Sequence, residues 1–260
     1  MHNGVADSGR RPGAASVMNG NKREKVVPRQ ARGVLRHEAR QYGKSAQGAA
    51  LEYYGPQSGP VDILLMAAMH GDEVESTVVL SEALRRVPVS ALRNPVILCV
   101  NPDGVLRGTR CNARGVDLNR NWPAGNWSPD PVCYRAHGQT IQDIELSPGA
   151  SAASEAETRS LKSLVQKLQP RTIVSLHAPL GCIDDPENTP LARWISEQVQ
   201  LPVVPDVGYP TPGSFGSWSV ENGIHIITWE LPPEPIVEQI ASHSPVLYKL
   251  ITSEYELKEY

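Results

Sequence analysis

Three residues in this chain are of the types, and in the places, that could hold a metal ion: His70, Glu73 and His177. His70-Gly-Asp-Glu73 follows directly on the apolar run VDILLMAAM (61–69), and His177 follows TIVSL (172–176). Each run is apolar on both faces and stops abruptly in polar residues, which is the pattern of a buried strand. A His and a Glu three residues apart can converge where such a strand turns into the next helix. Imidazole nitrogen with carboxylate oxygen is a donor set that suits zinc. Two His and one Glu leave a fourth position open, as hydrolytic zinc centres do.

A second segment with chemical content is NPDGVLRGTRCNARGVDLNRNWP (101–123). Asn-Pro-Asp-Gly reads as a turn, with Pro fixing φ and Gly permitting a positive one. After it come Arg107, Arg110, Arg114 and Arg120, interspersed with Asn112, Asn119 and Asn121. Guanidinium forks and carboxamides gathered near a metal can grip a carboxylate. The competing reading is a solvated basic turn.

The elements that would carry these residues alternate from residue 60 onward. Strands are expected over 62–69, 95–100, 172–176, 202–205 and 224–230, and helices over 74–87, 154–169, 189–200 and 233–252. Ser154 with Glu157 matches a capping box, and Pro170 stops that helix. Interleaved strands and helices imply an α/β fold: a single domain with a central mixed, mostly parallel, twisted sheet flanked by helices. Ligands in such sheets sit at the carboxyl ends of the strands. His70, Asn101, His177 and Glu230 all fall there.

At 260 residues the chain is long enough for one sizeable core. A net charge of -3 and a pI near 6.2 argue against a nucleic-acid-binding surface. No apolar stretch approaches the roughly 20 residues of a membrane span. An apolar signal core is absent from the N-terminus, so a cytoplasmic location is expected. Residues 1–32, rich in Gly, Ser, Asn and basic side chains, read as a disordered tail, and 33–260 as the catalytic domain. Cys99, Cys111, Cys133 and Cys182 lack metal-binding spacing and read as small buried thiols.

Taken in order, HGDE, NPDG, the GVDLNRNWP segment, SLH (175–177) and TWE (228–230) resemble the zinc carboxypeptidase family, from about residue 60 to 235. The resemblance implies one zinc per chain, held by His70, Glu73 and His177. Glu230 would be the general base that takes a proton from the attacking water and returns it to the leaving amine. Arg110 would stabilise the oxyanion, and Asn119 with Arg120 would bind the substrate carboxylate. Asp117 would be structural support, and Tyr209 matches, with different spacing, a mobile tyrosine that closes over substrate. The stretches VGYPTPGSFGSW (207–218) and HAPLGCIDDP (177–186) are most similar to members that cleave γ-D-glutamyl-meso-diaminopimelate bonds in murein tripeptides, during cell-wall peptide recycling. Ala178 after His177, and Trp122 where Phe is more usual, depart from the pattern without touching the metal chemistry.

Diaminopimelate ends in its own ammonium and carboxylate, and a buried unpaired charge is costly. Asp184 or Asp185 is therefore expected to meet that ammonium, against the equal reading that both only cap a turn before Pro186. Two other functions compete. One is a zinc deacylase of N-acyl amino acids, akin to succinylglutamate desuccinylase and aspartoacylase, which share the HGxE start and a third His. The long GVDLNRNWP segment favours the carboxypeptidase branch. The other is a zinc-binding pseudoenzyme, and retention of Glu230 and Arg110 argues against it.

Overall fold

The computed structural model describes residues 33–137 and 141–257; the expected tail over 1–32 lies outside them. The chain opens with an antiparallel hairpin of β1 (Arg40–Lys44) and β2 (Ala50–Tyr53), then enters the central sheet with β3 (Ile63–Ala67). Helix α1 (Val74–Arg86) returns to β4 (Val96–Ile97), which leads to the short α2 (Pro102–Arg107). A second antiparallel hairpin, β5 (Val132–His137) with β6 (Ile141–Leu146), precedes α3 (Ala156–Leu168). The sheet then gains β7 (Thr172–His177) and β8 (Cys182–Asp184), followed by α4 (Pro190–Val199) and β9 (Val203–Val204). Helix α5 (Phe215–Glu221), β10 (His225–Glu230) and α6 (Ile236–Thr252) complete the order.

The sheet runs β4-β3-β7-β10-β8-β9, parallel throughout except where β8 lies antiparallel to β10. Its two faces divide the core, because successive side chains on a strand point to opposite sides. Leu65, Val174, Leu176, Ile183, Ile227 and Trp229 face one side and pack with residues of α1, α4 and α6. Leu64, Met66, Ile97 and Ile173 face the other, against Leu161 and Val165 of α3, Phe215 and Trp218 of α5, and Trp122. On this second face the apolar residues give way to polar ones toward the carboxyl ends of β7 and β10. Ile173 is followed by Ser175 and His177, and Ile226 by Thr228 and Glu230. The core thereby opens into a site.

Several local expectations need correction. The capping box does not form: Glu155 is the N-cap of α3, with no side-chain cap bond. Ser154 Oγ instead donates to Glu155 and accepts from Asn121, while the Glu157 carboxylate accepts from Ala46 N and Asn112. Asn-Pro-Asp-Gly is the start of α2 rather than a free turn. Pro102 occupies its first position, Asn101 Oδ1 accepts from Gly104 N at 3.0 Å, and Gly108 ends it at φ 64°. The expected strand 95–100 shrinks to two residues. No described cysteine is in a disulfide, and only Cys182 is buried; Cys133 is exposed.

Candidate metal centre

His177 is the last residue of β7 and pairs in register with Glu230, the last residue of β10. Register partners project to the same face, so both side chains enter one space. The turn after β3 brings in His70, and Glu73 is the N-cap of α1. There His70 Nδ1 lies 2.7 Å from Glu73 Oε1, His177 Nδ1 lies 2.9 Å from Glu73 Oε2, and the two Nδ1 atoms are 3.2 Å apart. Bonds of about 2.0–2.1 Å in tetrahedral array place ligand atoms roughly 3.3 Å apart. The observed spacing fits such a cage. His70, Glu73 and His177 are also the group of metal-binding side chains that converges among the described residues, and all three are buried.

The other ring nitrogens each face an oxygen, the arrangement that orients metal-ligating imidazoles, but only one of them makes a hydrogen bond. His70 Nε2 lies 3.4 Å from Asp117 Oδ1, an ion-pair distance too long for a firm hydrogen bond. His177 Nε2 is 3.0 Å from Ser175 Oγ. Burial alone would raise the Glu73 carboxyl's pKa, but the two imidazoles override it and hold the group well below its usual range. Asp117, fully buried, is likewise kept ionised by Arg110 and His70 against its burial.

Arg110 Nε donates to Asp117 Oδ2 at 3.0 Å, and its Nη1 is 3.5 Å from Glu73 Oε1, which places the guanidinium at the rim of the cage. Its backbone carbonyl accepts from Gly71 N at 3.2 Å and from Asn101 Nδ2 at 3.3 Å. Glu230 is 6% exposed; burial raises its pKa, with partial opposition from His177. Asn119 Oδ1 accepts from Phe215 N, so the carboxamide presents its NH2 as the remaining donor. Arg120 is 2% exposed, bonds the Asn119 carbonyl through Nη1, and keeps a buried Nε with no hydrogen-bond partner. Tyr209, 42% exposed, sits on the loop before α5, in the neighbourhood of Arg120.

Asp184 and Asp185 part company. Asp185 accepts from Glu187 N, Thr189 N, Thr189 Oγ1 and His225 Nε2. It is the turn cap of the competing reading, with its pKa lowered to about 2: burial opposes this shift, and the bonds from His225 and Thr189 prevail. Asp184 lies on the face that carries Thr228 and Glu230. Ser175 was missed from sequence, although its place two residues before His177 on one strand face was a usable signal.

The sequence pattern of the zinc carboxypeptidase family matches residues 36–180. Murein peptide amidase A of Escherichia coli (strain K12) is 45% identical over 208 residues, which cover 79% of this chain and 86% of that protein. The protein of the same name from Vibrio campbellii is 39% identical over 89% of this chain and 94% of its own length. The crystal structure of murein-tripeptide amidase MpaA from Escherichia coli O157 superposes with a TM-score of 0.83 at 40% identity, covering 89% of this chain and 98% of that one.

Proposed function

This chain belongs to the zinc carboxypeptidase family, and from that premise we propose that it hydrolyses the γ-D-glutamyl-meso-diaminopimelate bond of murein peptides. The observation that carries the reading is the placement of Glu230 beside His177 at the carboxyl edge of the sheet, next to three converging donors. Binding of one zinc per chain falls to His70, Glu73 and His177. When bound, the metal supplies Lewis acidity toward the scissile carbonyl and the attacking water.

Everything else falls to side chains of this chain. Glu230, with its pKa raised by burial, accepts the proton of the attacking water and delivers it to the departing amine. Arg110, oriented by Asp117, places guanidinium donors where negative charge develops on the carbonyl oxygen. Arg120, with a buried donor lacking an acceptor, and the Asn119 amide bind the carboxylate of the leaving residue. Tyr209, on the exposed loop before α5, folds over that residue. We extend the proposal to residues 33–260 as one catalytic domain and to a cytoplasmic role in recycling cell-wall peptides. Among the described residues no helix is long and apolar enough to cross a membrane. The deacylase alternative is not favoured, since the relatives that cover most of the chain carry the murein amidase name.

Mass spectrometry of the zinc-loaded protein with L-Ala-γ-D-Glu-meso-diaminopimelate tests the reading. Expected products are L-Ala-D-Glu and free diaminopimelate, lost in His177→Ala together with stoichiometric zinc. An intact tripeptide with fully zinc-loaded protein overturns it.

A further inference from the structure

We propose that Asp184 forms an ammonium-selecting subsite that holds the distal amino group of the leaving residue, an inference that rests on the peptidase reading above. Its warrant is where the carboxylate sits and what it lacks. Strand β8 pairs with β10 so that Cys182 opposes Glu230 and Asp184 opposes Thr228. Paired residues share a face, so Asp184, Thr228, Cys182, Glu230, Ser175 and His177 all project from the metal side of the sheet. The intervening Ile183 points into the opposite core. Two residues of strand separate Asp184 from Cys182, about 7 Å. That is close to the reach of a four-carbon amine side chain extending inward from the scissile bond. Beyond this depth the face closes on Ile173 and Ile226.

Among the described residues the half-buried Asp184 side chain at the inner end has no hydrogen-bonded or ion-paired partner at its buried oxygen, Oδ1, which is sealed from solvent. Leaving a charged acceptor buried and unmatched is costly unless something arrives to meet it. Its neighbour shows the contrast: Asp185, just past the end of the strand, is satisfied by two backbone amides, a hydroxyl and an imidazole. The nearby charges deepen the mismatch. Burial first, then Asp206 and Asp185, push the Asp184 pKa up to about 6, while His177 acts in the opposite direction. A primary ammonium entering along Thr228 would supply both the missing donor and the missing charge. An apolar side chain of equal length would bury the carboxylate without pairing it.

Three tripeptides, L-Ala-γ-D-Glu-X with X as meso-diaminopimelate, L-lysine or L-norleucine, test the subsite. The zinc-loaded protein is expected to favour the first two by about ten- to a hundredfold in kcat/KM, the range for a hydrogen bond between charged groups. In Asp184→Asn that ratio should fall toward one, with zinc content and Tm measured in parallel. A preference that survives in Asp184→Asn overturns the proposal, as does equal cleavage of all three by the unaltered protein. Should Asp184→Asn fail to fold, the ratio is read in Asp184→Ser with the same two outcomes. If the unaltered protein cleaves none of the three, the peptidase reading falls instead. Calorimetry then decides the subsite: tighter binding of free diaminopimelate than of norleucine, lost in Asp184→Asn, supports it, and equal affinity overturns it.

Discussion

In the proposed reaction Glu230 and Arg120 make opposite kinds of contribution, and single substitutions separate them. Glu230→Gln keeps the shape and hydrogen-bonding reach of the side chain but cannot accept a proton. Turnover should fall by ~10²–10⁴-fold, the usual cost of losing a positioned general base, with zinc content unchanged. Near-normal kcat in this variant would remove Glu230 from the role. Arg120 is buried with its Nη1 already committed to the Asn119 carbonyl and its Nε unmet. Arg120→Lys keeps the charge and loses the planar fork, so KM should rise markedly. A C-terminally amidated peptide, lacking the carboxylate, should then be poor for the unaltered protein and no worse for Arg120→Lys. Efficient cleavage of the amidated peptide by the unaltered protein would end the assignment. At this scale the sequence was informative wherever a reactive side chain terminates an apolar run, as at His70, His177 and Glu230. It was silent on Asp184 against Asp185, because only the register with β10 shows that Asp184 shares the face of Glu230, while Asp185 falls just past the strand's end.

At the scale of elements, the loop that ends β3 and the helix that follows β4 are fitted to one another with almost no clearance. A Cβ added at Gly71 would lie 2.1 Å from the Gly104 carbonyl carbon, which is backbone and cannot swing aside. Gly71 N also bonds the Arg110 carbonyl. Gly71→Ala therefore pushes His70 and Arg110 apart, and both zinc affinity and kcat should drop. Tm should fall as well, since overpacking typically costs about 1–3 kcal/mol; unchanged zinc affinity would show that the loop has slack. Asn-Pro-Asp-Gly reads as a turn from sequence for a purely local reason. Pro and Gly favour turns locally, and the Asn101 cap with Pro102 at the first helical position serves a short helix equally well. The long periodic helices and buried strands were legible because burial on one or both faces imposes a period. The hairpins β1–β2 and β5–β6 were not, since their pairing is decided by packing at a distance. Gly43, for example, has no room for a side chain beside Ser160. Ser154 and Glu157 have the spacing of a capping box, yet they serve the loop of Asn112 and Asn121.

For the molecule as a whole, the candidate metal site joins segments more than a hundred residues apart, from the start of α1 to the end of β7. Two imidazole nitrogens 3.2 Å apart, facing one buried carboxylate, are held against mutual crowding by the surrounding fold. A cation that binds only the folded state shifts the folding equilibrium by RT ln(1 + [L]/Kd), about 2.7–4.1 kcal/mol at 100 to 1,000 times Kd. For a domain of this size each kcal/mol is worth roughly 2–4 °C. Removing zinc with a chelator should therefore lower Tm by about 5–15 °C, and added zinc should restore it. His177→Ala, which leaves two donors, should start near the chelated value and respond weakly to zinc. The comparison is made by scanning calorimetry at fixed pH, because His243 brings a separate proton linkage. Burial pushes the His243 pKa from 6.5 down to about 4. Its contribution to stability is then full above pH 6.5 and is lost as pH falls through about 4, as the unfolded chain takes up the proton first. A Tm that does not move when metal analysis shows the zinc gone would mean that the three donors are held by the fold alone, and that the ion contributes to the chemistry without contributing to stability.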